Sequence, residues 1–259
     1  MTSMIKGVGP KLVPFFKTLA IYFVVFIPQD QPSVLATILK CLPSIGLIVF
    51  VILHTRSTGS DYSFSKNIIT GLLFGCLGDA CLVWPGFFEI GVFSFLIGHF
   101  MYIRALGFQP MCPLTGLIFY VLGILGVLFY WLNLRGILIL GAPLYAGVIM
   151  TMVWRAAARI QTAENNWCRM CTCIGAISFA VSDFCVAYNQ FIGKFPYDQL
   201  VIMTLYYTGQ FGLTLSILDA TIEESHKLTE GAVPSDATIE ESHKLTERAV
   251  SCGEHVKKE

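Results

Sequence analysis

The sequence predicts an all-α membrane protein, a polytopic bundle of eight transmembrane helices followed by a short cytosolic C-terminal tail. Hydrophobic residues make up 55% of the 259 residues and charged residues 13%, whereas soluble domains carry about 25% charged residues. The apolar residues form runs long enough to cross a bilayer, separated by short segments with proline, glycine or charge. The formal net charge of zero gives no indication of nucleic-acid binding, so we expect no nucleic-acid partner.

Hydropathy, together with the residues that interrupt the apolar runs, divides the chain into eight spans. They cover residues 11–27, 34–54, 66–84, 88–107, 113–131, 136–158, 168–191 and 197–218. The first run follows basic residues as a signal peptide would, but no small-x-small cleavage site follows it, so we interpret it as a retained span. The loops are short, which predicts antiparallel neighbours in a compact bundle.

Lysine and arginine lie mostly on one side of this predicted topology. That side carries Lys6, Lys11, Lys17, Arg56, Lys66, Arg104, Arg155, Arg159 and Arg169. The other side carries only Arg135 and Lys194. By the positive-inside rule the crowded side is cytosolic, so both termini of an eight-span chain are expected in the cytosol.

We assign residues 1–218 to the membrane domain and residues 219–259 to a tail, because the composition changes abruptly after Leu218. The segment Asp219–Glu230 recurs identically as Asp236–Glu247, with a period of 17 residues. Each copy has a threonine followed three residues later by glutamate, a capping-box pattern, but too few apolar residues to form a core. We therefore expect a disordered or marginally helical cytosolic tail, with partner binding as the alternative role.

Two aspartates, Asp79 and Asp183, lie well inside the third and seventh apolar runs. A carboxylate in hydrocarbon is costly, and such residues usually face the bundle interior and serve function. Both spans run outward from the cytosol, and at ~1.5 Å per residue the carboxyls lie roughly 8 and 12 Å from the non-cytosolic helix ends. Gly71 and Gly175 each precede an aspartate by eight residues, and small residues at helical spacing permit close helix contact. We predict catalysis by this pair, with structural hydrogen bonding as the alternative.

Further polar residues occur at similar depth on the spans that run inward. They are Lys40, His99, Tyr207 and Gln210. Each has a second interpretation: the lysine could extend to the headgroups, the histidine could be an interhelical donor, and the other two could be packing contacts.

The cysteines do not form a pattern that predicts a metal centre. Cys168-x-x-Cys171-x-Cys173 opens an apolar helix and lacks a second ligand pair at suitable spacing, so we set a zinc site aside. No G-x-S-x-G motif for a serine nucleophile is present. We expect neither a metal nor another cofactor.

Five short motifs, in this order along the spans, resemble the YhhN-like family. They are Lys40-Cys-Leu-Pro43, Gly71-Leu-Leu-Phe-x-x-x-Gly-Asp79-x-x-Leu82, Phe95-x-x-x-His99-x-x-Tyr102, Gly175-Ala-x-x-Phe-x-x-Ser-Asp183 and Tyr207-x-x-Gln210. The early segment Gly9–Lys17 is similar to the A-type members of its vertebrate transmembrane-protein-86 branch. The resemblance covers residues 9–218 and leaves out the repeated tail.

The resemblance implies an enzyme of lipid metabolism. Animal members of the family are lysoplasmalogenases of the endoplasmic reticulum membrane, ether hydrolases that cleave the vinyl ether of ethanolamine or choline lysoplasmalogens. The products are a fatty aldehyde and glycerophosphoethanolamine or glycerophosphocholine. The family's supposed catalytic pair corresponds here to Asp79 and Asp183. The substrate-binding or supporting residues are then Lys40, His99, Tyr102, Tyr207 and Gln210.

Two carboxyl groups suit this chemistry. Vinyl ethers hydrolyse by protonation of the β-carbon and capture of the oxocarbenium ion by water, which requires a proton donor and a group that stabilises positive charge. An apolar site keeps one carboxyl neutral, while a second one with hydrogen-bond donors stays ionised; the sequence does not assign which is which. Lys40 or His99 would hold one carboxylate ionised or bind the phosphate, and Tyr207 and Gln210 would position water or substrate.

Two other functions fit the same residues. Membrane carboxylates with histidine and lysine are the usual parts of proton relays, so a proton-coupled transporter is the main alternative. Both aspartates occupy the third span of a four-span half, which would suit a duplicated carrier. The third hypothesis is a non-catalytic lipid-binding protein that acts through its tail.

Overall fold

The computed structural model describes residues 2–28, 31–59, 62–161 and 167–222, with side chains from residue 7 onward. These residues form helices and connecting turns, without a strand among them. The helices are α1 (Thr2–Val25), α2 (Val34–Thr58), α3 (Tyr62–Val83), α4 (Phe88–Leu106), α5 (Pro113–Tyr130), α6 (Leu138–Ile160), α7 (Trp167–Phe191) and α8 (Asp198–Thr214), with a 3-10 turn at Trp131–Asn133. All eight helices, with α8 taken together with its continuation to Ile222, are long and apolar enough to cross a membrane, which confirms the predicted all-α fold with eight spans.

Several helices are longer than the predicted spans. The first begins at Thr2 instead of residue 11, α2 continues to Thr58, and α3 begins at Tyr62. Hydropathy detects the hydrocarbon-crossing part of a helix, whereas hydrogen bonding continues into polar turns at the interface. After a turn at Leu215 the chain is helical again as far as Ile222. The remaining repeated residues lie outside the described part.

Neighbouring helices run antiparallel, and glycines set how closely they approach. A Cβ on Gly71 would lie 2.6 Å from the ring of Tyr102, so α3 and α4 meet with no room for a side chain there. A Cβ on Gly175 would lie 2.7 Å from the Cα of Gly212, which brings the backbones of α7 and α8 together. The predicted role of these two glycines in close helix contact is confirmed.

An ion-pair cluster ties the helical segment after α8 to the bundle, at the end where α6 finishes. The carboxylate of Asp219 accepts hydrogen bonds from Arg159 at 2.7 Å and from Arg169 at 2.9 Å. Nearby, the fully buried Arg155 donates to the carbonyls of Gly107 and Pro110 in the α4–α5 connection. These arginines, assigned to the cytosolic side from the sequence, therefore also hold helix ends in place.

Candidate active site

A cavity of about 340 Å³ opens in the half of the bundle opposite this arginine cluster. Its walls come from the amino-terminal halves of α2, α4, α6 and α8 and from the carboxyl-terminal halves of α3, α5 and α7. Asp79 and Asp183 both line it, within a lining that is mostly aliphatic and aromatic. The structure thus brings the two predicted aspartates to one cavity.

Asp79 is 1% exposed, and both of its oxygens face polar groups. Tyr206 donates its hydroxyl to Oδ2 at 2.6 Å, and the Nζ of Lys40 lies 3.8 Å from Oδ1. The second distance is too long for a direct hydrogen bond but short enough for an ion pair. Lys40 is 7% exposed, so its ammonium group faces the aspartate instead of extending to the membrane surface.

Three of the predicted supporting residues, Tyr102, Tyr207 and Gln210, act on Tyr206 and Lys40, the two residues next to Asp79. The hydroxyl of Tyr102 donates to Oε1 of Gln210 at 2.5 Å, and Nε2 of Gln210 donates to the hydroxyl of Tyr206 at 3.0 Å. Tyr207 donates to the backbone carbonyl of Lys40 at 2.8 Å. These residues fix the two groups that contact Asp79 and make no hydrogen bond of their own to it in the described part of the chain.

Asp183 has a different set of neighbours. Its Oδ2 accepts a hydrogen bond from the hydroxyl of Tyr145 at 2.5 Å and lies 3.2 Å from Nε2 of His99. His99 and Tyr145 also contact each other at 3.0 Å. The histidine is 1% exposed, and its Nδ1 has no hydrogen-bond partner among the described residues.

The two carboxyl groups differ in what they offer to a ligand. Within the described chain Oδ1 of Asp183 makes no hydrogen bond or ion pair, and the side chain is 17% exposed, against 2% for Asp79. The phenyl ring of Phe179 lies between the two clusters, with centroid distances of 4.7 Å to His99 and 5.2 Å to Tyr206. One aspartate is enclosed beside a cation, and the other presents a free oxygen to the cavity.

Sequence reasoning missed the two tyrosines that bind the aspartates. Tyr206 lies four residues before Gln210, so the two share a helix face, and this spacing was a usable signal. Tyr145 lies in an apolar stretch of α6 and carries no comparable signal. A tyrosine in a membrane helix is also common as a packing or interfacial residue.

The chain is similar in sequence to a known family and to named proteins. The model of the YhhN family matches residues 35–217, which include every residue of the site. The chain is 34% identical over 228 residues to "Lysoplasmalogenase TMEM86A" from Homo sapiens, covering 86% of this chain and 95% of that protein. It is 37% identical over 210 residues to "Lysoplasmalogenase TMEM86B" from Sus scrofa, covering 81% and 87%. No solved structure matches it.

Proposed function

This chain belongs to the YhhN family, and we propose that it is a lysoplasmalogenase, which hydrolyses the vinyl ether of a lysoplasmalogen to a fatty aldehyde and a glycerophospho-ethanolamine or -choline. Relatives that bear this name match over most of their length. The observation that carries the proposal is the presence of two differently placed carboxyl groups on one largely apolar cavity. Its volume falls in the range of small-molecule sites, about 300–1,000 Å³.

Asp183 is the proton donor in this mechanism. When neutral, it carries the proton on Oδ1, because Oδ2 accepts from Tyr145 and faces His99. The proton passes from Oδ1 to the β-carbon of the vinyl ether, whose double-bond electrons form the new C–H bond. The α-carbon and the ether oxygen then share the positive charge of an oxocarbenium ion.

In this mechanism Asp79 acts as the carboxylate that stabilises this charge, with the Nζ of Lys40 3.8 Å from its Oδ1. Tyr206 holds this carboxylate in a fixed position, and its negative charge stabilises the oxocarbenium ion strongly because the largely apolar cavity has a low dielectric. Water adds to the α-carbon and gives its proton to the carboxylate that Asp183 has become. The hemiacetal then collapses: Asp183 gives its proton to the glycerol oxygen as that C–O bond breaks, and it takes the proton of the hydroxyl, which becomes the aldehyde carbonyl.

The remaining predicted residues position these groups. Tyr102 and Gln210 orient the hydroxyl of Tyr206 through consecutive hydrogen bonds. Tyr207 holds the α2 backbone at Lys40. These roles follow from hydrogen bonds formed without substrate, so variants of these residues should change kcat more than KM.

We further propose that the enzyme resides in the endoplasmic reticulum membrane with both termini in the cytosol. Eight apolar helices support a multi-pass membrane protein, and the distribution of lysine and arginine supports the orientation. The cavity then opens in the non-cytosolic half of the bilayer. A glycosylation acceptor placed in the α7–α8 connection should be modified in cells, and one added at the amino terminus should not.

Replacement of each aspartate by asparagine tests the assignment. Asp79→Asn and Asp183→Asn keep the side-chain size and should each abolish aldehyde release from lysoplasmenylethanolamine in detergent micelles. Glu89→Gln is the matched control, because it makes the same chemical change at an exposed site and should keep full activity. Full activity in either purified, folded aspartate variant contradicts the mechanism.

The proton-coupled transporter remains the second candidate, since buried carboxylates beside lysine and histidine are parts that proton relays use. Activity in detergent micelles distinguishes the two functions. An enzyme turns over in micelles, whereas a carrier needs a sealed vesicle to show flux. An ester-linked lysophospholipid should be a poor substrate, because its cleavage requires nucleophilic attack instead of protonation of carbon.

A further inference from the structure

Helix α5 lies at the edge of the bundle with little of its surface buried. Of its residues only Gly116, Gly123 and Tyr130 are buried. Its inner face meets α6 through small residues: a Cβ on Gly123 would lie 2.8 Å from Cγ of Met150 and 3.9 Å from the carbonyl of Ala146. The α5–α6 seam is therefore narrow and apolar, and a flexible methionine occupies part of it.

The catalytic cavity has a second, apolar cavity as its neighbour across this seam. That cavity measures about 270 Å³ and lies between α5 and α6. Gly123, Val127, Ala146 and Met150 line both cavities. These four residues therefore stand between the two spaces, which together lead from Asp183 toward the outer face of α5 and α6.

Polarity changes along the main cavity. Asn189 and Gln190, at the end of α7, and Lys194 in the following connection line it at one end. At the other end lie Gly123, about two turns before the end of α5, and Met150, about three turns into α6 and more than one turn beyond Tyr145. The aspartates stand between a cationic, hydrogen-bonding end and an apolar end.

We propose that the α5–α6 seam is the binding subsite for a linear hydrocarbon chain, with the lipid phosphate at the Lys194 end. This inference rests on the proposed function, because it places the vinyl ether between the two ends, beside the aspartates. A chain that enters the seam from the main cavity passes Gly126 and contacts Val127 and Met150, and chain length then controls binding. Each buried methylene stabilises the complex by about 0.8 kcal/mol, close to fourfold in affinity.

Gly126 offers a direct test. A Cβ there would meet only Phe184, at 3.8 Å, which is ordinary contact. The Gly126→Leu side chain therefore fills cavity space without displacing backbone. We expect the ratio of kcat/KM for hexadecenyl over octenyl lysoplasmenylethanolamine to fall roughly 15-fold, the effect of about two lost methylene contacts. Gly141→Leu is the control, since Gly141 lies on α6 with nothing within 4 Å of its Cβ and lines none of the described cavities.

Met150→Ala is the reciprocal variant. It removes the side chain that narrows the seam, and it should raise the relative kcat/KM for docosenyl over hexadecenyl substrate. If the chain-length ratio of kcat/KM is unchanged in both variants, including by an equal loss of kcat/KM on short and long chains, the proposed subsite is wrong. If the wild-type protein releases no aldehyde, the proposed function fails instead. The subsite then still predicts that hexadecyl ether lysolipid raises the melting temperature more than octyl ether lysolipid, and that Gly126→Leu removes this difference.

The direction of the bound lipid is tested at the polar end. Lys194→Met should raise KM about tenfold for substrates of every chain length, because the phosphate loses a cation. Arg135→Met is matched to it: Arg135 is exposed, on the same predicted side of the membrane, and does not line the cavity. Equal KM values in the two variants overturn the placement of the phosphate.

Discussion

Tyr206→Phe tests whether the hydrogen bond to Asp79 contributes to catalysis. The hydroxyl donates to Oδ2 at 2.6 Å and accepts from Gln210 at 3.0 Å. Phenylalanine keeps the ring and its edge-on contacts with Phe95 and Phe179 at 5.9 and 5.2 Å. The substitution therefore removes one oxygen from the site and leaves the packing unchanged.

The size of the effect follows from the charge of the acceptor. A hydrogen bond to an ionised group contributes about 1.5–3 kcal/mol, which corresponds to a decrease of about 10- to 150-fold in rate. The loss should appear mainly in kcat, because Asp79 stabilises charge that develops in the transition state and is absent from the neutral vinyl ether. Aldehyde release coupled to a reductase that consumes NADH measures kcat and KM in micelles.

Tyr62→Phe controls for the loss of a tyrosine hydroxyl. Tyr62 is exposed at the start of α3 and lines none of the described cavities, so kcat should remain within about twofold of wild type. If Tyr206→Phe also stays within about twofold, Asp79 does not depend on that donor. The proposed charge-stabilising role of the Asp79 cluster would then be wrong.

Two predictions concern stability. Asp219→Asn leaves Arg159 and Arg169, with side-chain exposures of 11% and 14%, beside a neutral partner. Because the loss of a buried ion pair costs about 3–5 kcal/mol, the melting temperature should fall by roughly 6–20 °C. Size-exclusion chromatography after heating measures this change. Glu89→Gln should melt with the wild type, and equal melting of both variants would contradict a structural role for the cluster. Gly71→Ala, with its Cβ 2.6 Å from the Tyr102 ring, should destabilise by about 1–3 kcal/mol, whereas Gly147→Ala, with nothing within 4 Å, should not.

The fold class and the polar residues of the site were predictable because their signals are local. A run of apolar residues long enough for a bilayer forms a helix whatever its neighbours are, since backbone groups in hydrocarbon must bond within the segment. Asp79 and Asp183 stood out for a similar reason: a carboxyl group inside such a run has to face protein or water. The family motifs lie on the same spans, and the match to the YhhN family model confirms the resemblance that they indicate.

The sequence by itself determined which residues are buried in the membrane, and the tertiary structure decided which of them meet. Lys40 pairs with Asp79 because α2 packs beside α3, and His99 contacts Asp183 because α4 approaches α7. The spacing of these residues along the chain does not predict either pair. Tyr206 contacts an aspartate 127 positions away. A tyrosine hydroxyl has no fixed preference for core or interface, so only its packed position shows that it serves the site. The free oxygen of Asp183 and the enclosed carboxylate of Asp79 likewise arise from the surrounding helices, which exclude water from one group and leave a cavity beside the other.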